Sequence, residues 1–450
     1  MRAVTALPPA VLITLLGACV AAGQDAQPWP GFRGPGASGV ADGQGAPLEW
    51  DAASGAHVDW EVEIPGASNS SPIVWGDRLF LTSAVSGSGT ETLRAGISGD
   101  IRSLEDASEH GWHLYSIDTE TGRILWDREV HRGVPGVMRH PKGSHASSTP
   151  VTDGERVIVL FGTVGVLAAY DFDGELLWRS DIGVIDSAAY NDPTAHWGHS
   201  SSPIIYENTV IVQADGQQDP FIAAYGLTDG REVWKADRGE DLSSWGTPAI
   251  AAGPAGDELI ANGTVIRGYD PRTGEERWSL GPNSYITIPT PVVGPDLVYV
   301  TGGYQPVRPI YAVRPGATGD ISSGEDASGN EAVRWSTDRD GPYIPTPILY
   351  RDLLYTIQIN GVLAAYDSSN GEEVYRARVG TGTFTASPVA ADGRLYIANE
   401  EGRVFVVGAG SGYRELAVNE MGEMIMATPA ISGGKMYLRT LNSIYAIGGE

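Results

Sequence analysis

The sequence predicts an all-β protein, an eight-bladed β-propeller of four-stranded antiparallel blades. An N-terminal strand is expected to complete the C-terminal blade. Three observations carry this. A Ser-Pro or Thr-Pro opens a short β-branched strand eight times, at Pro72, Pro150, Pro203, Pro248, Pro291, Pro347, Pro388 and Pro429, and the four closest spacings are 41 to 45 residues. Each unit holds four apolar pieces separated by Gly, Asp and Asn clusters, as hairpin turns require. The last unit lacks one strand and the chain start supplies a spare. A period of this length with strands inside it signals radial β-repetition, which moves the search for function to the loops.

The unit after Pro203 shows the four pieces, which are labelled A to D from inner to outer. They are Ser202–Tyr206, Thr209–Val212, Phe221–Tyr225 and Arg231–Trp234. The C–D hairpin repeats a second pattern, an Asp-containing turn with Gly leading to a closing aromatic. It runs through Trp126, Trp178 and Trp278, with Trp234 and Trp335 closing equivalent segments; Tyr375 stands there in the sixth full copy and Leu416 in the seventh. An aromatic ending strand D lies where neighbouring sheets pack. Burying about 150–250 Å² per indole at about 25 cal/mol per Å² contributes roughly 4–6 kcal/mol each as an upper bound. Trp60, Trp126, Trp178, Trp234, Trp278, Trp335 and Tyr375 are therefore expected to be inter-blade struts, not cofactor stackers. After Pro429 come strands Lys435–Leu438 and Ser443–Ile447 with no fourth, while His57–Ile64, carrying Trp60, precedes the first Ser-Pro without partners. Pairing the two ends closes the eighth blade and removes an exposed edge.

Composition fits a turn-rich globular β protein: 42% hydrophobic, 19% charged and 59 Gly among 450 residues. A formal charge of −26 repels nucleic acid and anionic membrane surfaces, so neither is an expected partner. Residues 1–23 read as a signal peptide: Arg2 starts it, and Val11–Leu16 forms an apolar core too short to span a membrane. Leu16-Gly17-Ala18-Cys19 has the form of a bacterial lipobox, with Cys19 acylated after cleavage before it. Ordinary cleavage nearby, for example after Ala22, is the alternative and discards Cys19. The one cysteine leaves the folded body without disulfides, Cys-ligated zinc or a thiol nucleophile. Residues 24–56 read as a lead-in strap and 57–450 as the propeller.

The combined hairpin and Ser/Thr-Pro signal resembles the PQQ-like β-propeller repeat of the quinoprotein alcohol dehydrogenase-like superfamily. That repeat occurs in eight-bladed quinoprotein dehydrogenases and in an outer-membrane assembly lipoprotein of similar fold. The segment Trp29-Pro30-Gly31-Phe32-Arg33-Gly34-Pro35 is similar to the lead-in of a broad group of secreted PQQ-like propellers. The resemblance implies two jobs: a binding scaffold, or an oxidoreductase in which PQQ with calcium sits over the central channel. Dehydrogenases of the family carry an adjacent-cysteine pair against the quinone, which this chain lacks, and it lacks a haem-binding Cys-Cys-His stretch.

The chain departs from bare repeat in three long connections. These are D–A loops Asp127–Ser148 and Arg179–Ser201 and the B–C loop of blade one, roughly Val85 to Gly111. All three are expected on one sector of the top rim, across blades one to three. Seven of eight histidines fall between residues 110 and 199. The candidate ligand residues are His131, Arg132, Arg139, His140, Lys142, His145, His196, Trp197, His199 and Trp245. His145, His196, His199 and Asp192 are weak metal candidates, since zinc or copper accepts two or three His plus a carboxylate, yet no HExxH-type spacing is present. Three readings stay open for this cluster: pinning of long loops to the body, an organic or anionic ligand pocket, and a metal site. Trp245, Tyr285, Tyr343 and Phe384 precede inner strands and either wall a funnel or plug the channel. The bottom-face insertion Pro315–Glu331 has the composition of a mobile loop.

No nucleophile triad or carboxylate pair stands out. The sequence therefore reads as a non-catalytic binding or scaffold protein, periplasmic and lipid-anchored to the outer membrane or secreted. Its top face would take a protein partner or a small anionic ligand. The alternative is a PQQ-dependent quinoprotein dehydrogenase-like oxidoreductase.

Overall fold

Alternating apolar residues with a turn every few positions leave each repeat no choice but an antiparallel meander, and the meanders bury both faces only by stacking radially. The computed structural model describes residues 1, 26–89, 93–96, 101–104, 106–322 and 331–448. Residues 2–25, with Cys19 and nearly all of the signal segment, lie outside the described residues. Among those described, eight sheets surround one axis. Blade 3 runs Ile204–Tyr206, Thr209–Ala214, Phe221–Gly226 and Glu232–Asp237, so strand D extends past Trp234 to Asp237. Blade 8 orders Val58–Glu63 outside Ser443–Gly448, Lys435–Arg439 and Ala430–Ser432. Trp60 lies opposite Ala446 and Glu61 opposite Tyr445, whose hydroxyl donates to the Glu61 carboxylate at 2.7 Å. The two chain ends thus close the ring.

The core is a series of inter-blade layers. Ile158, Leu160 and Leu167 of blade 2 interleave with Val210, Val212 and Ala223 of blade 3, all nearly inaccessible to solvent. The strand-D tryptophans span these layers. Trp60, Trp126, Trp178, Trp234 and Trp335 each donate Nε1–H to a backbone carbonyl in the C–D turn of the next blade: Thr119, Phe172, Leu227, Pro271 and Ser368, at 2.8 to 3.1 Å. The turn glycine is part of the same joint. Gly230 has φ 66°, and a Cβ there would lie within 3.0 Å of the Trp178 ring. Gly therefore serves both the left-handed turn and the indole seat.

Trp278 departs from the pattern. It is buried against blade 5 residues Val298 and Val313, but its Nε1 donates within its own blade, to Glu258 at 3.3 Å. The C–D turn it would reach carries the Pro315–Glu331 insertion. Part of that insertion is ordered as sheet, not mobile as its composition suggested. Gly319–Asp320 pairs in parallel with Glu276–Leu280 and makes blade 4 five-stranded. Residues 323–330 lie outside the described set.

The segment before blade 1 crosses the bottom of the ring. Trp29 pairs with Val74 of blade 1, the Pro30 carbonyl accepts Thr152 N–H of blade 2, and Val40 bridges to Ala390 of blade 7. The Gln44 side chain accepts Gly433 N–H of blade 8 at 3.0 Å. Between these anchors a single 3-10 turn, Pro35–Ala37, lies against the inner strands of blades 4 and 5. Residues 29–44 therefore touch the inner strands of blades 1, 2, 4, 5 and 7 and the turn after that of blade 8.

Candidate functional site

The Ser/Thr-Pro dipeptides do more than open strands. Proline fixes the first residue of each inner strand, and the residue before it turns its backbone N–H toward the hydroxyl of its counterpart in the next blade. The backbone N–H of Ser71 donates to Thr149 Oγ1, Thr149 to Ser202 Oγ, Ser202 to Thr247 Oγ1 and Thr247 to Thr290 Oγ1. Thr290 continues to Thr346, Thr346 to Ser387, Ser387 to Thr428, and Thr428 returns to Ser71. All eight bonds fall between 2.9 and 3.2 Å. The ring is stitched shut around its axis by one hydroxyl per blade, a crown of alternating N–H and O–H groups. The pattern that marks the repeat in the sequence is the pattern that closes it.

This crown forms the wall of a well, with Phe32 of the N-terminal segment among its lining residues. The wall also carries Lys142 and the half-buried Asn69, whose enclosed Oδ1 has no hydrogen-bond partner. Above the crown stand aromatic rings. Trp197 and Trp245 lie 5.5 Å apart at 36°, His140 meets Trp197 edge-on at 5.6 Å, and Tyr304 packs on Tyr343 at 5.4 Å. Tyr285 lies at the exposed edge of this group against Tyr190 at 5.1 Å. Phe384 is not among them. It is fully buried against Phe405 between blades 6 and 7, so it neither walls a funnel nor plugs the channel, the two roles expected of it.

The structure divides the predicted ligand residues in two. His140, Lys142, Trp197, His199 and Trp245 line the well. Lys142 is held by the buried Glu400 at 2.6 Å, and Thr385 Oγ1 and Gly96 N–H complete that carboxylate's partners at 2.6 and 2.8 Å. Its charge is thereby neutralised inside the protein. His140 Nδ1 accepts the Lys142 N–H at 3.0 Å, which leaves the proton on Nε2 in the neutral ring. His199 is buried, and burial drives its pKa down to about 4, with the Ser201 backbone pulling weakly the other way. Neither His199 nitrogen makes a well-formed hydrogen bond.

The other candidates serve the loops. His131 sits on the outer strand of blade 1 beside Arg179 at 2.9 Å, its pKa lowered by burial and then by that guanidinium. Arg132 is exposed and paired with Glu129 and Glu109. Arg139 is buried, donates to the Gly143 carbonyl at 3.0 Å, and offers its own carbonyl to Leu104 N–H. His145 packs edge-on to His110 at 5.1 Å, and burial first, then His110, pushes its pKa down to about 3. His196 pairs with Asp186, and Asp192 is turned onto Thr194. His145, His196, His199 and Asp192 do not converge. Among the described residues no three His, Cys, Asp or Glu group as a metal-holding set.

The three long loops nevertheless meet. Ser103 Oγ donates to the His196 carbonyl at 2.5 Å, Trp197 Nε1 to the Ile101 carbonyl at 3.4 Å, and Arg94 N–H to the Pro141 carbonyl at 3.0 Å. Gly136 packs against Val184, joining the two D–A loops. Val134 and Val184 are left 55% and 49% exposed on this surface. Reasoning from sequence found the loops and the well's aromatic side but missed the crown, Phe32, Asn69 and Glu400. The signal for the crown was present in the Ser or Thr before every repeat proline.

The residues present do not fit PQQ with its metal. A tricarboxylate needs uncompensated donors and the metal needs a carboxylate set. Here the wall's lysine is already neutralised, the buried His199 is held neutral, and no metal-holding group is formed among the described residues.

The sequence profile of the family described as "Outer membrane protein assembly factor BamB" matches residues 110–376 and 360–447. Outer membrane protein assembly factor BamB of Shewanella oneidensis is 27% identical over 326 residues, spanning 70% of this chain and 71% of the relative. Two solved structures share the fold. Europium-containing methanol dehydrogenase superposes with a TM-score of 0.59 at 11% identity, covering 93% of this chain and 90% of the other. BamB from Moraxella catarrhalis superposes with a TM-score of 0.53 at 12% identity, covering 81% and 98%.

Proposed function

The chain belongs to the family of outer membrane protein assembly factor BamB, and from that premise we propose that it is a non-catalytic, extracytoplasmic scaffold that docks a protein partner on the top rim of blades 1 to 3. One observation carries the reading: three long loops that a bare repeat does not need are fastened to one another and leave Val134 and Val184 exposed. Loops joined this way form a docking surface at little ordering cost, and exposed apolar side chains suit a protein interface. The match to an assembly factor supports a partner among proteins of the outer membrane. The N-terminal signal reading supports export, with attachment through a lipid at Cys19 or release as a soluble protein. The enzyme alternative is disfavoured by the neutralised well.

The test is site-specific photo-crosslinking in the native host. A crosslinker at position 184 or 134 should give one discrete adduct with an outer-membrane protein, and one at Val418, an exposed apolar residue on blade 7, should not. Equal adducts from all three positions would show the rim to be unselective. Dye reduction with an alcohol in the presence of PQQ and calcium would replace the scaffold reading with the oxidoreductase one.

A further inference from the structure

We propose that the axial well is a saccharide site, taking a neutral sugar ring with its hydroxyls on the Ser/Thr crown and its apolar face against Trp197 and Trp245. This site faces the axis inside those loops and does not depend on the partner proposed for their outer surface.

The argument begins with what each crown hydroxyl has left. A hydroxyl offers one donor and two acceptor sites. Each of the eight spends one lone pair on the neighbouring blade's N–H. None donates its own proton to another group among the described residues, and all eight are at least 96% buried. The wall therefore offers eight O–H donors and as many remaining lone pairs, none of them charged. Asn69 adds an unpaired carbonyl oxygen, and His199 adds a neutral imidazole without a well-formed bond. Buried polar groups in that state require a guest or water.

Size decides between guests. Successive hydroxyls are linked through one residue and one hydrogen bond, about 5 Å, so eight close a ring roughly 12 Å across. A metal ion gathers oxygens at about 2–2.6 Å and cannot span that. An organic ring can. Charge decides next. Lys142 is cancelled by Glu400, so the wall holds no free cation for an anionic ligand. Arg33, buried without a carboxylate partner, belongs to the floor segment and is not a lining residue. The protein's charge of −26 further disfavours anions. A guest that both donates and accepts at many points, carries no charge, and has one apolar face for an indole is a polyhydroxylated ring. Trp197 and Trp245, tilted 36° to each other at the mouth, offer that face two surfaces.

The test uses the full mature protein, titrated with cellobiose, maltose and diacetylchitobiose to about 20 mM while tryptophan fluorescence and saturation-transfer NMR are followed. At least one disaccharide should saturate. Mannitol, with the hydroxyls but no ring face, should not, and neither should phenylacetate, a flat anion. Trp197→Ala should weaken binding about tenfold or more, and Trp197→Tyr should recover most of it. The tyrosine variant keeps the test valid if the alanine variant misfolds. Absence of saturable disaccharide binding, equal binding by mannitol, preference for phenylacetate, or wild-type affinity in Trp197→Ala would each overturn the assignment. A crosslink from position 184 would be unaffected by any of these results, so the two readings fail separately.

Discussion

Replacing Thr346 by Val tests whether the crown holds the ring together. Valine has the same branched shape, so packing survives and the Oγ1 acceptor is lost. Thr346 Oγ1 accepts the Thr290 N–H at 3.0 Å in a region where both residues are 2% exposed. Removing one partner leaves a buried donor unsatisfied, which costs about 1–3 kcal/mol; water in the adjoining well recovers part, giving about 1–2 kcal/mol. Ten residues on, in the same blade, Thr356 provides the opposite case. It is 1% exposed and its Oγ1 has no partner. Thr356→Val removes an unsatisfied buried hydroxyl, so it should be neutral or stabilise by up to about 1 kcal/mol. Urea unfolding midpoints at matched slope read the difference, or unfolding rates if refolding fails. The two variants should differ by about 2 kcal/mol with opposite or near-opposite sign. Equal losses, or silence at Thr346, would remove the structural role assigned to the crown.

Trp178→Ala should destabilise by about 3–5 kcal/mol by emptying the joint between blades 2 and 3, while Trp197→Ala, on a loop, should cost far less; a thermal or urea melt of both compares them. Lys142→Met strands the buried Glu400 and should cost about 3–5 kcal/mol, with Lys142→Met/Glu400→Gln regaining most of it in the same melt. His199 titrates near 4 when folded and near its ordinary 6.5 when unfolded, so between those values the unfolded chain binds the proton first. Stability should fall as pH drops from 6.5 toward 4, by up to about 1.4 kcal/mol per unit from this residue, and His199→Gln should flatten that part of a melting-temperature profile. Parallel profiles for wild type and variant would contradict the burial argument.

The repeat was legible because it is local. Each Ser/Thr-Pro, each turn Gly and each strand-D aromatic states its role within about ten residues, and closure by Val58–Glu63 followed from counting strands. Trp278 shows the limit. Its neighbours in sequence match the other copies, but its acceptor turn lies in the next blade and was altered by an insertion, so its hydrogen bond went elsewhere. The histidine cluster divides for the same reason. Seven imidazoles close in sequence share loops, but His131 and His145 are drawn to Trp112 and His110 on blade 1, and only His140 and His199 reach the axis. Loop composition records which groups are available and not which way the backbone turns them.

The floor of the well is the feature no repeat unit can encode. Eight equivalent inner strands make a tube whose two ends differ only in their loops, and a tube of that kind has no closed end. Phe32 and Arg33 come from outside the repeat, and their segment is fastened to blades 1, 2 and 7 by backbone bonds and to blade 8 through the Gln44 side chain. Backbone pairing at both ends fixes the segment's height on the axis, so Phe32 enters the lining at one level and Arg33 is enclosed by the inner strands, with Ile348 of blade 6 beside it. That enclosure holds the guanidinium down to about 9, a destabilised charge with Nε and Nη1 unpaired. A methionine there would pack as well and keep no charge, so Arg33→Met should leave the strap at least as stable. The bottom is thereby sealed by a segment whose anchoring does not rely on its charge. The crown is left facing the aromatic mouth, so the well opens at the top of the molecule, the face that carries the three long loops.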